Sequence, residues 1–196
     1  MPRMGLSKER VVAAAAELIG QRGTAGFSMH ALADSLHVRT SSLYNHVESM
    51  DALLSQVCAY ALRRQRDMEL RAIEGKDTDE AICALADAYR RFARENRQLY
   101  RLIMSAASGV EQPDAAECIV EPFLAVLSRT ALTEEEKCHW QRVLRGIVHG
   151  FVSQEEAGFF THLPADGDKS FQIAIRCYID GLRQAERREQ HDAQHG

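Results

Sequence analysis

The sequence predicts an all-α fold: an N-terminal three-helix domain built on a helix-turn-helix, then a C-terminal helical bundle. Three observations predict it. Apolar residues recur at spacings of three and four in segment after segment, the period of a helix face. No segment of any length alternates as a strand does, and there is no internal repeat or low-complexity tract. Ser, Thr and Asp caps and closing glycines punctuate the chain at helix-length intervals. With 196 residues and 45% hydrophobic content the chain can bury a real core.

In chain order, Ser7 to Gln21 reads as the first helix, with Ser7 as cap, Val12, Ala15, Ala16 and Ile19 inward, and Gly23 closing it. Met29, Leu32 and Ala33 predict a short helix over 28–36, capped by Ser28. His37-Val38-Arg39-Thr40 breaks the pattern. A second short helix over 41–47 carries Leu43 and Val47 inward and leaves Tyr44, Asn45 and His46 pointing elsewhere. Two short helices joined by a tight turn form the helix-turn-helix, whose second helix enters the DNA major groove.

Ser49 opens a long helix to about Ile73, with Asp51 placed favourably in its first turn. Glu74-Gly75-Lys76 is a break and a domain boundary. Asp77 with Glu80 caps a helix running to about Glu95. Asn96 is placed to cap a short helix over 98–106, and Ser108 to Gln112 reads as a loop. Pro113 suits a first turn; Pro122, inside the helix to about Ala131, should kink or split it. Thr133 with Glu136 forms a capping box for a long helix to about Ala157, ended by Gly158. A loop over 159–168 leads to a last helix over 169–188 and a frayed polar tail.

The two final helices each pair a large apolar seam with a row of small residues. Trp140, Leu144, Ile147 and Phe151 lie beside Gly146, Gly150, Ser153 and Ala157; Phe171, Ile175, Tyr178 and Leu182 lie beside Ala174, Cys177, Gly181 and Ala185. An interior glycine costs a helix roughly 1 kcal/mol against alanine. Close backbone approach offsets that cost, and a four-helix bundle made by two subunits is the economical arrangement. The expected dimer interface is Gly146, Gly150, Ser153, Ala174, Cys177 and Gly181; packing of both rows within one subunit is the alternative.

Charge and chemistry exclude several classes. Net charge is −4, and residues 1–55 balance Arg3, Lys8, Arg10, Arg22 and Arg39 against Glu9, Glu17, Asp34, Glu48 and Asp51. Phosphate binding then rests on a few placed cations, hydroxyls and helix N-termini, with a modest salt slope. The five cysteines are scattered and never form a C-x-x-C pair, which fits a reducing cytoplasm. No apolar run suits a signal peptide or a membrane span. No phosphate loop, nucleophile elbow or H-E-x-x-H occurs, so no enzyme or cofactor is expected. Cys138-His139 and the pair His149 and His162 read as surface or satisfied core groups rather than metal ligands.

Leu32-Ala33, Val38, Leu43-Tyr44-Asn45-His46-Val47 and Ala52-Leu53-Leu54 together resemble the DNA-binding domain of the tetracycline-repressor (TetR) family, without a gap over Ser28–Leu54. Three positions depart from its pattern: His37 replaces a turn glycine, Val47 a phenylalanine, and Met50 a phosphate-contacting lysine. Arg145 to Arg183 is similar to the WHG-type regulatory domain of many members, through His149-Gly150-Phe151 and Glu155…Gly158-Phe159.

Exposure on the recognition helix and this resemblance assign Thr40, Ser41, Ser42 and Asn45 to base edges, Ser28, Tyr44 and His46 to phosphates, and Arg39 to either. The resemblance also implies a ligand cavity. Tyr89, Phe92, Tyr100, Met104, Phe123, Trp140, His149 and Phe151 are its candidate lining, within residues 82–151. The domains expected are 1–48 for DNA, 49–75 as a connecting helix, and 76–190 for ligand and dimer. The expected protein is a cytoplasmic homodimeric repressor. Double-stranded DNA with near-palindromic half-sites roughly 34–38 Å apart and a small apolar or aromatic effector are its partners. A helical protein-interaction module and an all-α enzyme with an incidental helix-turn-helix are the rival readings.

Overall fold

The computed structural model describes residues 6–106, 113–162 and 164–195. Among them no strand occurs. The helices are α1 (Lys8–Arg22), α2 (Met29–Ser35), α3 (Thr40–Leu43), α4 (Met50–Ile73), α5 (Thr78–Glu95), α6 (Arg97–Ala106), α7 (Pro113–Leu127), α8 (Glu134–Glu156) and α9 (Gly167–His195), with one 3-10 turn at Phe159–His162. The loop expected over 108–112 lies outside the described residues. No helix among those described is long and apolar enough to cross a membrane.

The expected caps form. Ser7, Ser28, Ser49 and Asp77 each accept the backbone N–H three residues on, at 2.9–3.3 Å. Thr133 and Glu136 make both halves of a capping box. Four details differ from expectation. Asn96 closes α5 as well as opening α6: its side-chain amide donates to Phe92 O at 3.1 Å, and its carbonyl accepts from Tyr100 N–H at 2.9 Å. Pro122 sits inside α7 without splitting it. The last helix starts at Gly167, where Asp166 accepts the Asp168 N–H at 2.9 Å, and it runs through the polar tail to His195. The recognition helix is only Thr40–Leu43; Arg39 makes no side-chain cap, and Ser42 N–H bonds Arg39 O three residues back, which tightens the turn.

The chain forms two compact units. The first contains residues 1–65 and 92–118; the second contains 66–91 and 119–196. The divisions fall inside α4, α5 and α7. In the first unit α1 packs on α2 and α6, and α2 packs on α3. Val11, Ala15, Ile19, Leu32, Leu43, Leu53 and Val57 are fully buried there. Gly23 has φ 71°, and a side chain at that position would begin 3.0 Å from Gln98 on α6, so glycine answers both demands. In the second unit α8 packs on α9, over a core that includes Ile82, Leu85, Phe123, Leu144, Val148, Phe171 and Leu182.

Candidate functional site

The reading surface is held from below by apolar anchors. Leu43 is fully buried and Val47 nearly so, while Arg39, Ser41, Tyr44 and Asn45 are exposed and Thr40, Ser42 and His46 half-buried. Because α3 ends at Leu43, Tyr44, Asn45 and His46 lie on the turn that follows it. His46 N–H and Val47 N–H both bond Leu43 O, at 2.9 and 3.1 Å, so that turn is backbone-fixed. Ser28 Oγ accepts from Ala31 N–H, leaving its hydroxyl proton to donate outward.

The turn between α2 and α3 is a Schellman motif. His37 N–H bonds Asp34 O at 3.1 Å and Val38 N–H bonds Ala33 O at 3.0 Å. His37 holds φ 56°, the left-handed region that usually takes glycine. His46 also lies in the field of Glu9 on α1. The Glu9 carboxyl is held below its ordinary value by its own backbone N–H and the Ser7 hydroxyl, with smaller help from Lys8 and His46.

The eight candidate ligand-lining residues fall in both units. Phe92, Tyr100 and Met104 belong to the first, where Phe92 and Tyr100 are buried. The five in the second unit form three separate groups. Tyr89 meets Phe123 edge-on at 6.4 Å, and its hydroxyl lies 3.5 Å from His149 Nδ1. His149 Nε2 is 3.4 Å from Ser153 Oγ, so one imidazole spans two hydroxyls. Burial, helped by the Arg145 charge, pushes the His149 pKa below its ordinary value and favours the neutral ring. A neutral imidazole donates from one nitrogen and accepts at the other, and a hydroxyl can answer either role.

Trp140 turns to α9 instead. It packs edge-on against Tyr178 at 5.4 Å, and Tyr178 Oη donates to Trp140 O at 3.1 Å. Phe151 joins Phe160 and Phe171 at 4.7 and 5.1 Å.

Over Phe151 and Phe171 lies Arg90, its guanidinium 5.5 and 4.7 Å from the two ring centroids. The side chain is 7% exposed; it forks onto Glu155 of α8 with Nε–Oε2 2.9 Å and Nη2–Oε1 2.5 Å. It also reaches Asp168 of α9 at 2.8 Å. One buried cation thus joins α5, α8 and α9. The sequence reading missed it. The signal was its place on the row Ile82, Ala86, Arg90, four apart and otherwise apolar.

The six candidate interface residues divide. Gly146 and Gly150 have nothing within 4 Å of where a side chain would begin. Cys177 is exposed, Ala174 half-buried. Gly181 is taken up internally: a side chain there would start 3.2 Å from the Trp140 ring. Ser153 turns to His149. Beside the open positions, Val143 is 48% and Ile173 56% exposed. Among the described residues no cluster of His, Cys, Asp or Glu is arranged to hold a metal.

Two family models match the chain. That of the bacterial regulatory proteins of the tetR family covers residues 11–57, and that of the tetracyclin repressor-like C-terminal domain covers residues 82–178. YobS, an HTH-type transcriptional regulator of Bacillus subtilis (strain 168), is 30% identical over 184 residues, 92% of this chain and 95% of that one. Among solved structures, a protein of unknown function from Rhodococcus sp. RHA1 is similar with TM-score 0.76 and 21% identity, over 93% of this chain and 98% of that one. A TetR variant from Acinetobacter baumannii AYE, solved in complex with minocycline, is similar with TM-score 0.69 and 21% identity, over 93% of this chain and 99% of that one.

Proposed function

The chain belongs to the tetracycline-repressor family of bacterial DNA-binding transcriptional regulators, and from that premise we propose that it is a two-fold dimeric repressor released from a near-palindromic operator by a small apolar or aromatic effector. The observation that carries the reading is the polar surface Arg39–Asn45 held over buried Leu43 and Val47. Thr40, Ser41, Ser42 and Asn45 reach base edges; Ser28, Tyr44 and His46 take phosphates; Arg39 serves either.

The second copy packs against the open rows of α8 and α9. On α8, Gly146 and Gly150 present bare backbone on the face of exposed Val143; on α9, Ile173 is exposed beside Cys177, and exposed apolar groups of this kind favour a partner. The effector approaches Tyr89, Phe123 and His149, where an apolar wall carries two hydroxyls and a neutral imidazole. The Acinetobacter TetR variant is likewise solved with a small molecule, minocycline. The effector acts by favouring the arrangement of the two heads that does not match the half-sites.

A mobility-shift assay on the DNA flanking the gene, repeated with a library of hydrophobic compounds, tests the whole reading. The expected result is a shifted band that at least one compound dissolves. No shift on any flanking fragment refutes operator binding there. Sedimentation of Gly150→Leu tests the dimer: the side chain meets open space within the protomer, so folding is kept while the dimer weakens. A variant that stays dimeric moves the interface elsewhere.

A further inference from the structure

Between α5 and α9 runs an open groove of about 820 Å3 that the effector reading does not use. The two helices are antiparallel, and an ion pair closes each end. Arg183 bonds Asp79 at one end, with Nε–Oδ1 3.2 Å; Arg90 holds Asp168 at 2.8 Å at the other. The floor is apolar: Ala84 from α5, with Phe171, Ile175 and Ile179 from α9. None of the candidate ligand-lining residues borders it. At about 100° per residue, the centre of its α9 wall lies roughly 125° round the helix from exposed Ile173 and Cys177, so the expected dimer face is a different one.

The charges on its walls do not cancel. Asp79 and Arg183 neutralise each other. That leaves the carboxylates of Glu80, Asp87 and Asp180 against Lys76 and Arg176. Asp87 stands on the α5 wall of the groove, between the two ion-paired ends. Its neighbour Arg90 is already engaged by Glu155 and Asp168, and loss of water pushes the Asp87 carboxyl above its ordinary range despite Arg90 and Arg91. The thiol of Cys83, on the same wall, senses the same imbalance. Its pKa is raised by burial first, then by Asp87, Asp79 and Asp77, with only Arg176 opposing. A pocket of this size with an apolar floor and excess negative charge suits a drug-sized molecule with one positive end.

We propose that the α5–α9 groove binds a small amphipathic organic cation, its apolar body on Ala84, Ile175 and Ile179 and its charge on Asp87. The proposal goes beyond the effector reading and does not depend on it.

Acridine orange, a flat aromatic cation, is the probe, and fluorescein is the anionic control of similar size. Dye anisotropy on the full chain without DNA is expected to show saturable binding of the cation and none of the anion. Asp87→Asn should weaken that binding about tenfold, the scale of a charge-assisted contact. His149→Ala, in the other cluster, should leave it unchanged. Bound dye should slow alkylation of Cys83 by iodoacetamide, read residue by residue by mass spectrometry, while Cys138 on α8, exposed as Cys83 is, reacts at its own rate. Equal binding of fluorescein, full-strength binding by Asp87→Asn, or unprotected Cys83 at saturating dye would each overturn the proposal. Loss of dye binding in His149→Ala with none lost in Asp87→Asn would move the cation to the Tyr89–His149 cluster.

Discussion

The head and the second unit hold their shape by different means. In the head the polar bonds are local. Ser7 reaches Arg10, Ser28 reaches Ala31, and His37 and Val38 reach Asp34 and Ala33, all within five residues. Beneath them Leu32, Leu43 and Leu53 pack as a fully buried apolar core. In the second unit the ties are polar and distant. Arg90 meets Glu155 65 residues away, Arg183 meets Asp79 104 away, and Tyr178 meets Trp140 38 away. A close-packed apolar core resists small displacements, whereas ion pairs and hydroxyls can exchange partners. The reading surface is thus built to stay constant, and the unit beyond it to have alternatives.

Trp140, the only tryptophan, reports on the second unit, and operator affinity reports on the head, so the contrast can be tested region by region. The largest effect is expected from Leu43→Ala. Its cavity should cost about 2–5 kcal/mol, abolishing operator binding at temperatures where the Trp140 signal is still native. Equal loss of both signals would mean the two regions share one fate. Arg90→Met should do the reverse. It removes the guanidinium that joins Glu155 and Asp168, at a cost of about 2–3 kcal/mol, below the full value for a buried pair because Asp168 is largely exposed. Urea unfolding followed by Trp140 should move to lower midpoint, and adding Glu155→Leu should restore part of it.

Asn45→Ala should leave unfolding by either signal unmoved and cost about 1–3 kcal/mol of operator binding, with relaxed preference at one or two base pairs in a site selection. An unchanged selected motif would remove Asn45 from base reading. His37→Gly should stabilise the head by about 1 kcal/mol, since glycine adopts φ 56° without strain. A lower melting temperature would show that the imidazole makes a compensating contact. The smallest effect belongs to pH. His149 binds a proton less readily in the folded chain than its ordinary value of 6.5. Stability is therefore fully present above that value and falls as the pH drops below it, because the unfolded chain takes up the proton first. His149→Gln should flatten that part of the Trp140 unfolding profile between about pH 7 and 5.

What the sequence made legible follows the same division. Caps at Ser7, Ser28, Ser49, Asp77 and Thr133 depend on residues three apart, so composition alone locates them. The buried face of the head follows from a period of three and four. The sequence extends the short recognition helix too far because His46 and Val47 keep helical-looking bonds to Leu43 O while the chain leaves the helix. The Arg90 cluster was illegible for another reason. An arginine in the stretch Tyr89-Arg90-Arg91 looks solvated until two other helices bring Glu155, Asp168 and two phenylalanine rings to it. Only the fold shows that Trp140 lies against the glycine at 181, since no spacing joins the two in the sequence.

Four residues make too short a helix to exist alone, since nucleating a helix is costly and few bonds follow. The α3 segment therefore has no shape of its own to lend to a base pair; it inherits one from Leu43 beneath and from the Schellman turn in front. Operator recognition and folding of the head then become a single equilibrium. DNA at a hundred times its dissociation constant would lend the head roughly 2.7 kcal/mol, and warming toward the head's melting point would switch genes on with no effector present.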